Sequence, residues 1–216
     1  MFAFTDLEMS KAGDVNWLRN QFMEPAIEGL LDKIFTTVFA LVTNANYSNN
    51  SVITAANFDA DDMADLGAAL STLKVPKTRR AAILNPDYCA SLAKDSVVED
   101  ASAFGDNMAI REGRVPRVRG FNTYEFTNIP NNSENLEGFV AHPSAIALAA
   151  RTVVDPTEID GNAPLAVENR VDPASGLPLQ FRTWYDPDNG KLKISMGTLW
   201  GVSKGQGNSL RRILSA

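Results

Sequence analysis

Between Asp14 and about Asn44 apolar residues recur at Val15, Leu18, Phe22, Ile27, Leu30, Leu31, Ile34, Phe35, Val38 and Val42. Steps of three and four put these side chains on one stripe of a helix, with Glu28, Asp32 and Lys33 off it. At 1.5 Å per residue that helix would be roughly 45 Å long, and a small domain cannot cover such a length. Pro25 sits inside the run and predicts a kink or a division, because its ring clashes with the preceding turn. Ahead of the run, Thr5-Asp6-Leu7-Glu8 follows Phe2 and Phe4 and has the spacing of a capping box.

The polar stretch "NYSNNS" ends the first helical pattern, and Asp59, Asp61 and Asp62 open a second, with Met63, Leu66, Leu70 and Leu73 on one face. "KVPKTRR" reads as a turn. Two segments of one design follow. "AAILNPDYCASLAK" and "GFVAHPSAIALAAR" each predict a short apolar strand, a polar residue, a proline and then a helix. Proline suits the first helical position, and the residue before it is pushed into the extended geometry of a cap. His142 therefore stands where Asn85 stands in the other segment, as a cap or a packed ring. Residues 121–126 predict a strand. "LPLQFRTWY", "DPDNG" and "KLKISMGTLW" predict a hairpin, in which Leu179, Phe181, Thr183 and Tyr185 alternate with Gln180 and Arg182.

Composition narrows the chemistry. The 216 residues are 44% apolar and 21% charged, enough for one sizeable core or two small ones. No apolar run is long enough for a membrane helix, and the N-terminus lacks a signal-peptide pattern, so no membrane association is expected. Cys89 is the single cysteine, which leaves no intrachain disulfide to form. A net charge of −6 disfavours dedicated nucleic-acid recognition.

Catalytic patterns fail on context. Gly201-Val202-Ser203-Lys204-Gly205 fits G-x-S-x-G, yet an elbow serine needs a helix after it and a later histidine, and His142 comes earlier. Gly205-Gln206-Gly207 lacks the third glycine of a dinucleotide fingerprint. Asp59, Asp61 and Asp62 lack the glycine and terminal glutamate of an EF-hand. Neither a catalytic residue, a cofactor site nor a metal site is expected. The remaining charge concentration is Arg111, Arg114, Arg117 and Arg119. It suits either an anion site or ion pairing within the chain or across a subunit boundary, and the absence of interleaved aromatics favours ion pairing.

"LGAALSTLKVPKTRRAAILNPDYCASLAK" resembles the major capsid (coat) proteins of tailed bacteriophages: a helix, a Val-Pro turn, an arginine, a strand ending in Asn-Pro, and a short helix. "GRVPRVRGFNTYEFTNIP", "GFVAHPSAIALAAR" and "GLPLQFRTWYDPDNGKLKISMGTLWG" resemble later parts of the same family in the same order, so the similarity spans most of residues 10–205. The resemblance implies an α+β chain with the Hong Kong 97-type capsid fold: a long spine helix, a central sheet flanked by helices, and a long β-hairpin. On that pattern residues 1–56 form a peripheral-type domain with the spine helix and 57–150 an axial-type domain. Residues 151–200 return to the peripheral strands, and 201–216 end in the axial part.

The implied function is a structural, non-enzymatic subunit of a phage or prophage icosahedral capsid, assembling in the bacterial cytoplasm into pentamers and hexamers that enclose the genome. Copies of itself are the main partners, with a scaffolding and a portal protein as others. Arg111, Arg114, Arg117 and Arg119 are the candidate intersubunit contacts. Family members begin with an arm and an extended loop ahead of the long helix, whereas here "FAFTDLEMS" resembles only the last strand of that loop. A shortened chain, monomeric or weakly oligomeric, is the corresponding expectation. Two alternatives stand beside this reading: an encapsulin-like shell around a protein cargo, and a small α/β ligand-binding or hydrolytic domain centred on His142 or Ser203.

Overall fold

A computed structural model describes all 216 residues except 14, 97, 99–116, 157–164, 174 and 216, with backbone alone at 15–20 and 165. The described elements are mixed helices and strands, an α+β chain in two compact units. Residues 1–34 and 148–202 form one unit, and residues 35–147 and 203–216 the other.

The first unit is built on an antiparallel sheet ordered β1-β10-β9-β8, from β1 (Phe2–Thr5), β8 (Leu165–Val171), β9 (Pro178–Asp186) and β10 (Lys191–Gly197). The predicted hairpin is β9–β10, with Lys191 opposite Asp186. β1 adds to its outer side, Phe2 facing Ile194 and Phe4 facing Leu192. Thr5 then caps α1 (Asp6–Ala12): its Oγ1 accepts from the Glu8 N–H at 3.3 Å, while the Glu8 carboxylate accepts from the Thr5 N–H at 2.8 Å. Phe22 brings its ring to 5.7 and 5.4 Å from those of Phe2 and Phe4.

Two features of this unit differ from the sequence pattern. β8 was not anticipated, because its sequence LAVENRV lacks a clear alternation and it pairs on one side only. Gln180, expected to face outward, is 2% exposed. Its Nε2 donates to Val153 O at 2.7 Å and Asn169 Oδ1 at 3.2 Å, which satisfies an amide that would otherwise be costly to bury.

The second unit is a six-stranded mixed sheet ordered β2-β12-β6-β3-β5-β4. Its strands are β2 (Asn50–Val52), β3 (Ala81–Leu84), β4 (Arg117–Val118), β5 (Phe121–Glu125), β6 (Leu136–Ala141) and β12 (Leu210–Leu214). Met63, Leu66 and Leu70 of α3 (Ala60–Thr72) and Tyr88 and Leu92 of α4 (Pro86–Ala93) join Ala82, Leu84, Phe121, Val140 and Ile213 in one buried core. Each such large side chain contributes about 2 kcal/mol by leaving water. Phe139 of β6 instead meets Phe39, which stacks edge-on against Phe126 at 4.9 Å. The predicted caps hold at both helices: Asp59 Oδ1 accepts from the N–H groups of Asp61 and Asp62 at 2.9 Å, and Asn85 Oδ1 from Asp87 at 3.2 Å.

The long helix is α2 (Val15–Phe39), undivided at Pro25 but ending short of Asn44. Asn132 ends it from 93 residues away: its Nδ2 donates to Phe39 O at 3.1 Å and Val42 O at 2.8 Å. Those carbonyls are satisfied without another helical turn.

The twin-helix expectation fails after His142-Pro143, where β7 (Ile146–Arg151) follows and pairs with β11 (Leu199–Lys204). The carbonyls a helix would need are taken from outside. Ala145 O accepts from Gly205 N at 2.7 Å and Tyr47 Oη at 2.6 Å, and Ser144 O accepts from Gln206 N at 2.9 Å. Proline at the first helical position was a sound local signal that tertiary hydrogen bonds overruled.

Candidate functional site

Of the four arginines singled out, Arg111 and Arg114 lie outside the described residues. Arg117 begins the edge strand β4 and is exposed. Arg119 and Gly120, with φ of 48° and 91°, form the two-residue turn from β4 to β5, a hand that matches the strand twist. Arg119 Nη2 lies 3.2 Å from Asp61 Oδ1, with both side chains largely in solvent. That pair supports the ion-pairing reading within the chain, and a surface pair of this kind contributes little to stability.

His142 serves the scaffold. Its Nδ1 accepts from the Ser144 N–H at 3.2 Å and lies 2.9 Å from Ser144 Oγ, which itself is 2.9 Å from Ser209 Oγ. Its backbone N–H donates to Ser209 O at 2.9 Å. Imidazole and hydroxyls thus tie the turn after β6 to the turn before β12, with Nδ1 held by its own turn. Ser203 sits on strand β11, and among the described residues its hydroxyl donates to the next carbonyl, Lys204 O. The strand leads into a 3-10 turn at Gly207–Ser209 and then β12, not into the helix of a nucleophile elbow. Burial pushes the Cys89 thiol up to about 12, so its reactive thiolate is scarce at neutral pH.

The sequence pattern did not single out two buried arginines. Arg212, 2% exposed, donates to Tyr47 O at 2.7 Å, Asn44 Oδ1 at 3.0 Å and the Glu134 carboxylate. Arg80, 5% exposed, donates through Nε to Pro76 O (2.9 Å), through Nη1 to Gly67 O (2.9 Å), and through Nη2 to Ser71 Oγ (3.1 Å) and Val75 O (2.7 Å). The Arg80 guanidinium also lies 6.0 Å from the Phe121 ring centre. Burial lowers the pKa of both arginines. Each has an arginine neighbour in sequence that is less buried, Arg79 and Arg211. Periodicity does not separate either pair: Arg212 and Ile213 are both buried at successive positions of β12, and Arg80 lies in an irregular turn.

Beside Arg80 an open cleft of about 540 Å³ runs along α3, with Ala64, Ala68 and Ser71 on one wall and Lys77 and Arg119 on the others. It is basic in an acidic protein.

A scan of protein families finds no match, and neither does a search of curated proteins. Solved structures do match over the whole chain. The capsid structure of cyanophage P-SCSP1u superposes with a TM-score of 0.61 at 13% identity, covering 100% of this chain and 70% of that one. A protein of Mycobacterium phage Che8 gives 0.60 at 18% identity over 98% and 68%. A chain of the bacteriophage PhiM1 mature capsid gives 0.57 at 12% identity over 100% and 69%. Across both of its units, the chain has the fold of phage capsid proteins.

Proposed function

We propose that the chain is a structural subunit of a phage or prophage icosahedral capsid and that its activity is self-association rather than catalysis. The observation that carries this is the likeness to capsid structures along the entire chain. In this reading pentamers and hexamers of the chain enclose a genome, each subunit being used in several symmetry-repeated contacts. Individually modest contacts then add up to a stable closed shell. Residues 57–150 with 201–216 form the part near the capsomer axis, and 1–56 with 151–200 the peripheral part; the division of the chain into two units supports a two-part subunit. Arg111, Arg114, Arg117 and Arg119 are assigned to pairing with acidic groups of neighbours, Arg119 while also bound to Asp61 of its own chain. Assembly takes place in the bacterial cytoplasm, with a scaffolding and a portal protein as further partners.

Electron microscopy of cells expressing the complete reading frame that contains this chain tests the proposal. Closed particles of uniform size are expected, and subunits that remain dispersed at every concentration would overturn it. Charge reversal at Arg114 and Arg117 together should lower particle yield while the subunit keeps its far-ultraviolet circular dichroism.

A further inference from the structure

We infer that the basic cleft along α3 is a socket for an acidic side chain of a second copy of this chain, with Arg80 at its base and Lys77 at its rim. This rests on the shell-subunit reading and names one of its contacts.

Arg80 and Arg212 are about equally buried, yet their surroundings differ. Arg212 has the Glu134 carboxylate, whereas every hydrogen-bond partner of Arg80 is a neutral carbonyl or hydroxyl. A guanidinium has five N–H donors; four are engaged, and the one left over is on Nη1, beside the cleft. Buried charges ordinarily find a counter-charge, and among the described residues Arg80 has none within ion-pairing distance. Lys77 at the rim is exposed and likewise forms no ion pair among the described residues, while Arg119 is already engaged by Asp61. Two cationic groups therefore border one recess without a carboxylate of their own.

The wall is shaped to keep the recess open. At Gly67 a Cβ would lie 3.3 Å from the Phe121 ring and 3.9 Å from Arg80 Nη1, so a larger residue would crowd the guanidinium. Ala64 and Ala68, both exposed, leave the rest of the wall low enough for another protein surface to approach. Charge complementarity selects the occupant. The chain carries −6 overall and presents exposed carboxylates at Asp59, Asp65, Asp87 and Asp188, so a second copy supplies what the cleft lacks. A neighbour's carboxylate would complete the guanidinium with a charge-assisted bond.

The test uses exposed positions, since Arg80 itself supports the local fold. Ala68→Glu places a carboxylate in the cleft from its own chain, and Lys77→Glu reverses the rim. Arg170→Glu, in the other unit, makes the same two-charge change as Lys77→Glu, twice that of Ala68→Glu. Association of the full chain is measured by sedimentation velocity and electron microscopy, with thermal melting as the check on folding. Ala68→Glu and Lys77→Glu should each weaken association about tenfold or more with unchanged melting, and Arg170→Glu less than about twofold. Equal losses in all three variants would reduce the effect to overall charge and overturn the socket. Unchanged association in both cleft variants, alongside normal wild-type assembly, overturns the socket and leaves the shell reading standing. Wild-type subunits that stay dispersed where the complete reading frame should yield particles overturn both.

Discussion

Gly205 shows how much a single position can hide. In sequence it completes a G-x-S-x-G pattern that suggests an exposed nucleophile. In the fold it is a glycine because nothing larger fits: a Cβ there would lie 2.2 Å from Ser144 O and 2.9 Å from Ala145 O. The approach allows Gly205 N to reach Ala145 O at 2.7 Å and Gln206 N to reach Ser144 O at 2.9 Å. Gly205→Ala must push these two segments apart and lose both bonds, and should destabilise the protein by about 3 kcal/mol in urea unfolding. His142 follows the same logic. Its cap-like role was legible from the proline beside it, but its actual partners, Ser144 and Ser209, include one that is 67 positions away.

Elements show where local signals suffice. The capping box at Thr5, the helix start at Asp59, the cap at Asn85 and the hairpin turn at Asp186–Gly190 are short-range, and the chain forms them as its spacing predicts. The hairpin turn also fixes a titration. Hydrogen bonds from Lys193, at 2.5 Å, and from Asn189, at 2.9 Å, hold the Asp186 carboxyl down to about 2. Because the folded-state pKa is depressed, any stabilisation from the ionised group is present in full above its ordinary value of 3.8. It is lost as pH falls through about 2. NMR titration of Asp186 should show a midpoint near 2, rising toward the ordinary carboxylate range in Lys193→Met. The end of α2 is the opposite case, set by Asn132 from a distant loop.

At the scale of the whole molecule, the order of strands along the chain differs from their order in space. The last strand, β12, lies inside the six-stranded sheet, parallel to β2 and antiparallel to β6. It brings Ile213 to the core and Arg212 to Tyr47, Asn44 and Glu134. Removing residues 210–216 would leave β6 with one partner and the Glu134 carboxylate without its guanidinium. The truncated chain should lose cooperative unfolding by circular dichroism, whereas loss of a solvated tail would leave the transition unchanged. From the sequence, residues 201–216 are expected in the axial part by resemblance alone, because strand pairing over more than 150 positions leaves no local trace.

The sequence alone determined the helix stripes, the caps, the hairpin and, through an ordered set of weak motifs, the capsid-like fold. These depend on neighbours a few residues apart, whose geometry a helix or strand period reveals. Tertiary structure decided where α2 stops, why β7 is a strand, and which arginine of each adjacent pair is buried. The end of α2, the strand at β7 and the burial of Arg212 depend on donors or acceptors from far along the chain, Arg80 on carbonyls of a nearby turn and helix, and a buried polar group takes the partner that the fold provides.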